Sequence, residues 1–122
     1  MEDWRLCGQE RFLTNAVLYR VTFPDFWQKS YEEKNPFYQK IAEYAKEFVA
    51  EHNRGHEYLE GDKVQAFWHE HCDFCWEKAT TDTPGTFYCT KDLRHWICET
   101  CFTDFCTQFG WTTRPVEELF SD

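Results

Sequence analysis

No stretch of this 122-residue chain approaches the roughly 20 consecutive apolar residues a membrane-crossing helix needs, so no membrane role is expected. Its opening residues, MEDWRLCGQE, carry two acids before the first base and no apolar stretch. They read as neither a signal peptide nor a transit peptide, and the expected location is the cytoplasm. Basic residues are scarce: 13 Lys and Arg stand against 22 Asp and Glu, a formal net charge of −9. Gripping nucleic-acid phosphates requires a basic footprint, so direct nucleic-acid binding is not expected. Internal repeats, low-complexity tracts and flexible linkers are also missing, which leaves a single compact domain over 1–122 as the expectation.

Aromatic residues are abundant. Twelve Phe, 6 Trp and 6 Tyr make up 20% of the chain, which excludes global disorder, because disordered chains are poor in the groups that drive collapse. A chain of this length buries roughly two-thirds of its unfolded surface, enough for a real core.

Local patterns divide the chain softly near residue 70, into an aromatic α+β portion over 1–70 and a cysteine-rich module over 71–110. Residues 1–15 are weakly patterned. Residues 16–23 alternate, with Val17, Tyr19, Val21 and Phe23 on one face and Arg20 and Thr22 on the other, which predicts a strand stopped by Pro24. Residues 25–34 follow as a short helix. Asn35 and Pro36 then open the clearest helix, over about 36–53, because Asn suits the N-cap and Pro the first helical position. Phe37, Ile41, Tyr44, Ala45, Phe48 and His52 form its apolar stripe, Glu43, Lys46, Glu47 and Glu51 face water, and Gly55 marks its end. A turn at residues 60–62 leads to a strand over 63–71. The fold class is therefore α+β, a small mixed domain with one amphipathic helix, a short antiparallel sheet and a C-terminal metal module.

Seven cysteines without a secretion signal fit a disulfide framework poorly. Four of them form two Cys-x-x-Cys pairs, Cys72 with Cys75 and Cys98 with Cys101, separated by 22 residues. Two intervening residues let a tight turn aim two sulfurs at one ion, and two such pairs complete a tetrahedron of soft thiolates suited to structural Zn²⁺. Residues 86–89 and 95–98 can pair as a hairpin around residues 91–94. Phe102, Phe105, Cys106 and Phe109 then follow helical spacing up to Gly110, so the first turn of a helix carries the second pair.

The segments CDFC and WICETCFTDFC resemble a treble-clef zinc finger, most closely the zinc-binding domain at the start of ClpX-type chaperones. The resemblance covers residues 72–109 and implies Cys72, Cys75, Cys98 and Cys101 as ligands. It departs at Trp76, where that family usually has the glycine of the knuckle, and at Cys106, which lies one residue further along. No Walker motif accompanies it, so the chain is not such a chaperone. In that family the domain serves dimerisation and the docking of adaptors or substrates.

Other polar candidates carry weaker signals. His69 and His71 share a predicted strand face, where one could replace a cysteine at the metal or both could form a second site. The plainer reading makes them surface or hydrogen-bonded histidines. Cys89 is the substitute ligand should Cys98 fail, and otherwise Cys7, Cys89 and Cys106 are core residues. Phe48, Phe102, Phe105 and Phe109 sit on core stripes, whereas Trp4, Phe26, Trp27, Trp76 and Trp111 fall at turns or boundaries where exposure is expected. A Cys–His enzyme is the least favoured class, since no nucleophile elbow, phosphate loop or carboxylate pair accompanies the residues, and His95 alone does not make a nuclease site. The leading expectation is a non-catalytic zinc-binding protein-interaction module, an adaptor or small inhibitor, whose protein partner presents basic surface. The alternative is an acidic nucleic-acid mimic acting on a DNA- or RNA-processing enzyme, as phage anti-CRISPR and anti-restriction proteins do.

Overall fold

The computed structural model describes residues 3–52, 69–81 and 83–120, with side chains described up to residue 47 in the first stretch. Within them the chain runs α1 (Glu10–Leu13), β1 (Val17–Thr22), α2 (Phe23–Glu33), α3 (Pro36–His52), β2 (Glu70–His71) and β3 (Lys78–Ala79). It continues through β4 (Thr86–Cys89), β5 (Trp96–Cys98), α4 (Glu99–Phe109), β6 (Thr112–Pro115) and a 3₁₀ turn, Val116–Glu118. This is the expected small α+β domain. No helix among the described residues is long and apolar enough to cross a membrane.

A four-stranded sheet in the order β5–β4–β1–β6 holds the elements together. The expected hairpin is present, with Phe87 opposite Cys98, and β4 also pairs antiparallel with β1, where Tyr19 opposes Cys89 and Val21 opposes Phe87. The sheet is also wider and more mixed than expected, because β6 adds parallel to β1, with Val17 opposite Thr112. No apolar alternation marks β6, whose residues are all exposed, so its backbone pairing rather than a buried face defines it.

Both faces of the sheet are covered, since residues opposite each other in the ladder point to the same side. Val21, Phe87 and Trp96 face α2 and α3, where Phe23 lies 5.2 Å and Phe37 6.0 Å, ring to ring, from Trp96. On the other face Tyr88 stacks on Phe102 of α4 at 3.8 Å. This double coverage explains why Leu18 is fully buried although it lies opposite in direction to Tyr19 and Val21, and why Val17, at the strand end, is exposed.

The strand ends just before Pro24 and the expected short helix follows, starting two residues earlier than the sequence suggests. Pro24 occupies the first turn of α2, where its missing N–H has no helical partner to lose, so the helix begins at Phe23. Asn35 caps α3 as expected: its Oδ1 accepts from the Tyr38 backbone N–H at 3.1 Å, and its Nδ2 donates to the buried Ser30 hydroxyl at 3.0 Å. The apolar stripe is narrower than the sequence suggests. Phe37, Ile41 and Ala45 are fully buried, but Tyr44 is half-exposed. The side chains of Phe48 and His52, the stop at Gly55, the turn at 60–62 and the strand up to residue 68 lie outside the described residues.

The candidate metal centre

The four paired cysteines reach one point from two structures. Cys72 and Cys75 lie in the turn joining β2 to β3, closed by the Cys72 N–H to Glu77 carbonyl bond at 2.9 Å and the Trp76 N–H to Cys72 carbonyl bond at 3.0 Å. Reversing the chain there places Trp76 in the left-handed region at φ 67°. Cys98 ends β5 and is the N-cap of α4; its sulfur accepts from the Cys101 backbone N–H at 3.5 Å. The Asp73 N–H bonds the Trp96 carbonyl at 2.8 Å, which fixes the turn to the hairpin.

The result is a group of four Sγ atoms, from Cys72, Cys75, Cys98 and Cys101, all within 4.8 Å of one another and able to hold a metal ion. Cys72, Cys98 and Cys101 are buried and Cys75 is half-buried. Burial pushes the Cys98 thiol far up and the Cys101 thiol to about 12. At Cys75 burial acts the same way but is outweighed by the Glu77 backbone hydrogen bond and the neighbouring sulfurs, leaving that thiol below its usual value. Four sulfurs this close cannot all carry charge in the absence of a cation, and a dication removes that conflict. The donor set therefore fits a thiophilic metal.

The N-terminal segment, which shows little pattern in the sequence, folds over this centre. Arg5 Nη1 donates to Cys101 Sγ at 3.4 Å and to Asp104 at 2.9 Å, while its Nε and Nη2 grip Asp3 at 2.9 and 2.6 Å. These bonds hold the Asp3 carboxyl down at about 2. Gln9 Nε2 donates to the Asp73 carbonyl at 2.9 Å. Nothing local in the sequence could reveal this, because Arg5 and Cys101 are 96 residues apart.

The remaining candidates separate cleanly. His69 and His71 stand ring edge to ring face at 5.3 Å, and His71 lies 6.1 Å from Trp76. Neither joins the metal-binding group, nor does Cys89, which is buried between Tyr19 and Trp96 in the sheet with its thiol pushed far up by burial. Cys106 is half-buried beside the Trp111 carbonyl, but Cys7 is exposed rather than in the core. His95 Nδ1 donates to Asp73 Oδ2 at 2.6 Å, and Phe12 stacks on the imidazole. Burial raises the Asp73 carboxyl despite that bond.

Among the aromatics, Phe105 and Phe109 are buried, Phe102 is half-buried, and Trp4 and Trp76 are exposed, in line with the sequence. Phe26, Trp27 and Trp111 are buried instead of exposed. The reason for Trp111 is a long-range bond: its indole N–H reaches the Leu13 carbonyl at 2.8 Å, satisfying its one polar atom inside the core. Phe26 packs on Phe37 at 4.6 Å and Trp27 on Tyr38 at 5.8 Å, contacts set by the α2–α3 angle.

Comparison with protein-family models, with characterised proteins and with solved structures gives no match.

Proposed function

We propose that this chain is a non-catalytic zinc module that presents a protein-docking face. Four thiolates suit Zn²⁺ and leave no open position for a reacting water, so the metal's role is to hold structure, with Cys72, Cys75, Cys98 and Cys101 as its ligands. The ClpX-type resemblance of residues 72–109, a treble clef used for docking and dimerisation, supports the same reading.

One observation carries the docking role. Trp4, Phe12 and Trp76 are exposed by 72%, 70% and 68%, and each stands on a segment tied to the four-cysteine group. Trp4 adjoins Arg5, which bonds Cys101; Phe12 stacks on His95, which bonds Asp73; Trp76 follows Cys75 directly. Large aromatics on a rigid frame, ringed by charge, are what interface anchors look like. The net charge of −9 favours a partner with basic surface, met in the cytoplasm.

The test is a pull-down from native host extract with wild-type bait and with a Trp4→Ala, Phe12→Ala, Trp76→Ala bait, each at low and high salt. A partner retained by wild-type bait in high salt and lost from the triple variant is the expected result. A partner that binds both baits equally and is stripped by salt would instead favour the acidic nucleic-acid mimic.

A further inference from the structure

Each of the four sulfurs receives an N–H, and four of the five donors are backbone. Phe74 and Cys98 donate to Cys72, both at 3.4 Å; Cys101 donates to Cys98 at 3.5 Å; Glu77 donates to Cys75. These come with the turn and the helix N-terminus, so they exist wherever this local fold exists. Cys101 is different. Its donor is a charged side chain from the far end of the sequence, the Arg5 guanidinium at 3.4 Å.

Arg5 is placed for this by more than one contact. Its side chain is only 15% exposed, its guanidinium lies 4.5 Å over the Phe105 ring, and Asp3 and Asp104 hold its remaining N–H groups. A surface arginine held only by an ion pair would keep its head in water. Here the fork is set so that one arm points at a sulfur. Four metal-bound thiolates with a dication leave two net negative charges in a largely buried group, and a charge-assisted N–H bond to such a sulfur is stronger than one to a neutral thiol.

We infer that Arg5 is a positioning residue of the metal centre, donating to the Cys101 thiolate so that metal loading and the seating of the N-terminal arm, residues 3–9, are coupled. This rests on the zinc reading above. The coupling is reciprocal: whatever factor the seated arm adds to metal affinity, the metal adds to the arm's own docking. Trp4 rides on that arm, so one of the three exposed anchors is held more firmly when the centre is filled. The sequence-distant contact thus makes the proposed docking face report metal occupancy.

The experiment compares wild type, Arg5→Ala and Arg5→Lys in the full chain. Zn²⁺ affinity is measured by competition with a chromophoric chelator, and iodoacetamide labelling of the zinc-loaded proteins is resolved by mass spectrometry at Cys98 and Cys101. Arg5→Ala is expected to bind zinc about tenfold to a hundredfold more weakly, the range for losing an outer-layer partner of a metal ligand. It is also expected to label faster at Cys101 than at Cys98, with Arg5→Lys intermediate on both counts. General unfolding would raise both labelling rates together, so the ratio isolates the Arg5 bond. Wild type holding one zinc, with Arg5→Ala unchanged in affinity and labelling ratio, overturns this inference and leaves the zinc reading standing. Wild type that holds no zinc overturns both.

Discussion

The two sides of the sheet are built from the same kind of residue and held by different forces. On the α2–α3 side, Phe23 and Phe37 close over Trp96 with Phe26 and Trp27 behind them. Every one of these rings is buried, and the packing is mostly apolar, with the Ser30 hydroxyl satisfied by Asn35. On the α4 side, Phe74, Phe105, Phe109 and Trp111 also touch ring to ring, yet the elements that carry them converge on four sulfurs. The first side is complete once its aromatics are buried. The second gathers four sulfurs that could hold a metal ion, and the exposed Trp4, Phe12 and Trp76 are attached to it. Burial finishes one side; the other gathers sulfurs and leaves large aromatics outward.

The two sides differ most in their dependence on a metal. Zinc binding contributes about 10–16 kcal/mol in structural zinc modules, as much as the roughly 5–15 kcal/mol a whole domain holds in reserve, so chelation or Cys98→Ser should unfold the cysteine-rich module. Hydrogen exchange should show loss of protection over residues 70–110, with metal analysis falling from one zinc per chain to none. An unchanged melting curve together with no zinc in the untreated protein would remove the distinction between the two sides.

That distinction was partly legible in the sequence, and the legible parts are the local ones. Cys-x-x-Cys pairs, the Asn35 cap and the Gly110 stop at φ 70° each act within a turn of the residue that signals them. What stayed hidden depends on distant partners. Arg5 meets Cys101, Trp111 meets Leu13, and β6 finds β1 through backbone pairing with no buried face of its own. Phe26 and Trp27 are buried against expectation because a position near a predicted turn says nothing of how two helices will close on each other. Likewise, the left-handed Trp76 could be noticed as a departure from a glycine, but only the backbone shows that the residue tolerates φ 67° and points into solvent.

The apolar side can be tested without touching the metal. Phe37 is fully buried and contacts Phe26 at 4.6 Å and Trp96 at 6.0 Å. Phe37→Ala should cost about 3–5 kcal/mol from lost burial and the cavity left behind. Zinc stoichiometry should stay at one, because no part of α3 supplies a sulfur. Denaturant melts read together with metal analysis check this, and a coupled loss of zinc would show that the two sides form a single cooperative unit.

The smallest effect is the most telling, because its sign is opposite. Trp76 holds a left-handed conformation that costs an L-residue about 1–2 kcal/mol, and it buries little in return, being 68% exposed. Trp76→Gly relieves that strain, and the extra freedom glycine gives the unfolded chain takes back about 0.5–1 kcal/mol. The net should be a stabilisation of about 0.5–1 kcal/mol in the zinc-loaded protein, read as a rise in melting temperature. If the tryptophan is an anchor, the same substitution should weaken partner capture while the fold grows firmer. A firmer fold together with weaker capture would show that the outward tryptophan serves binding and not packing, and a firmer fold with unchanged capture would remove Trp76 from the docking face.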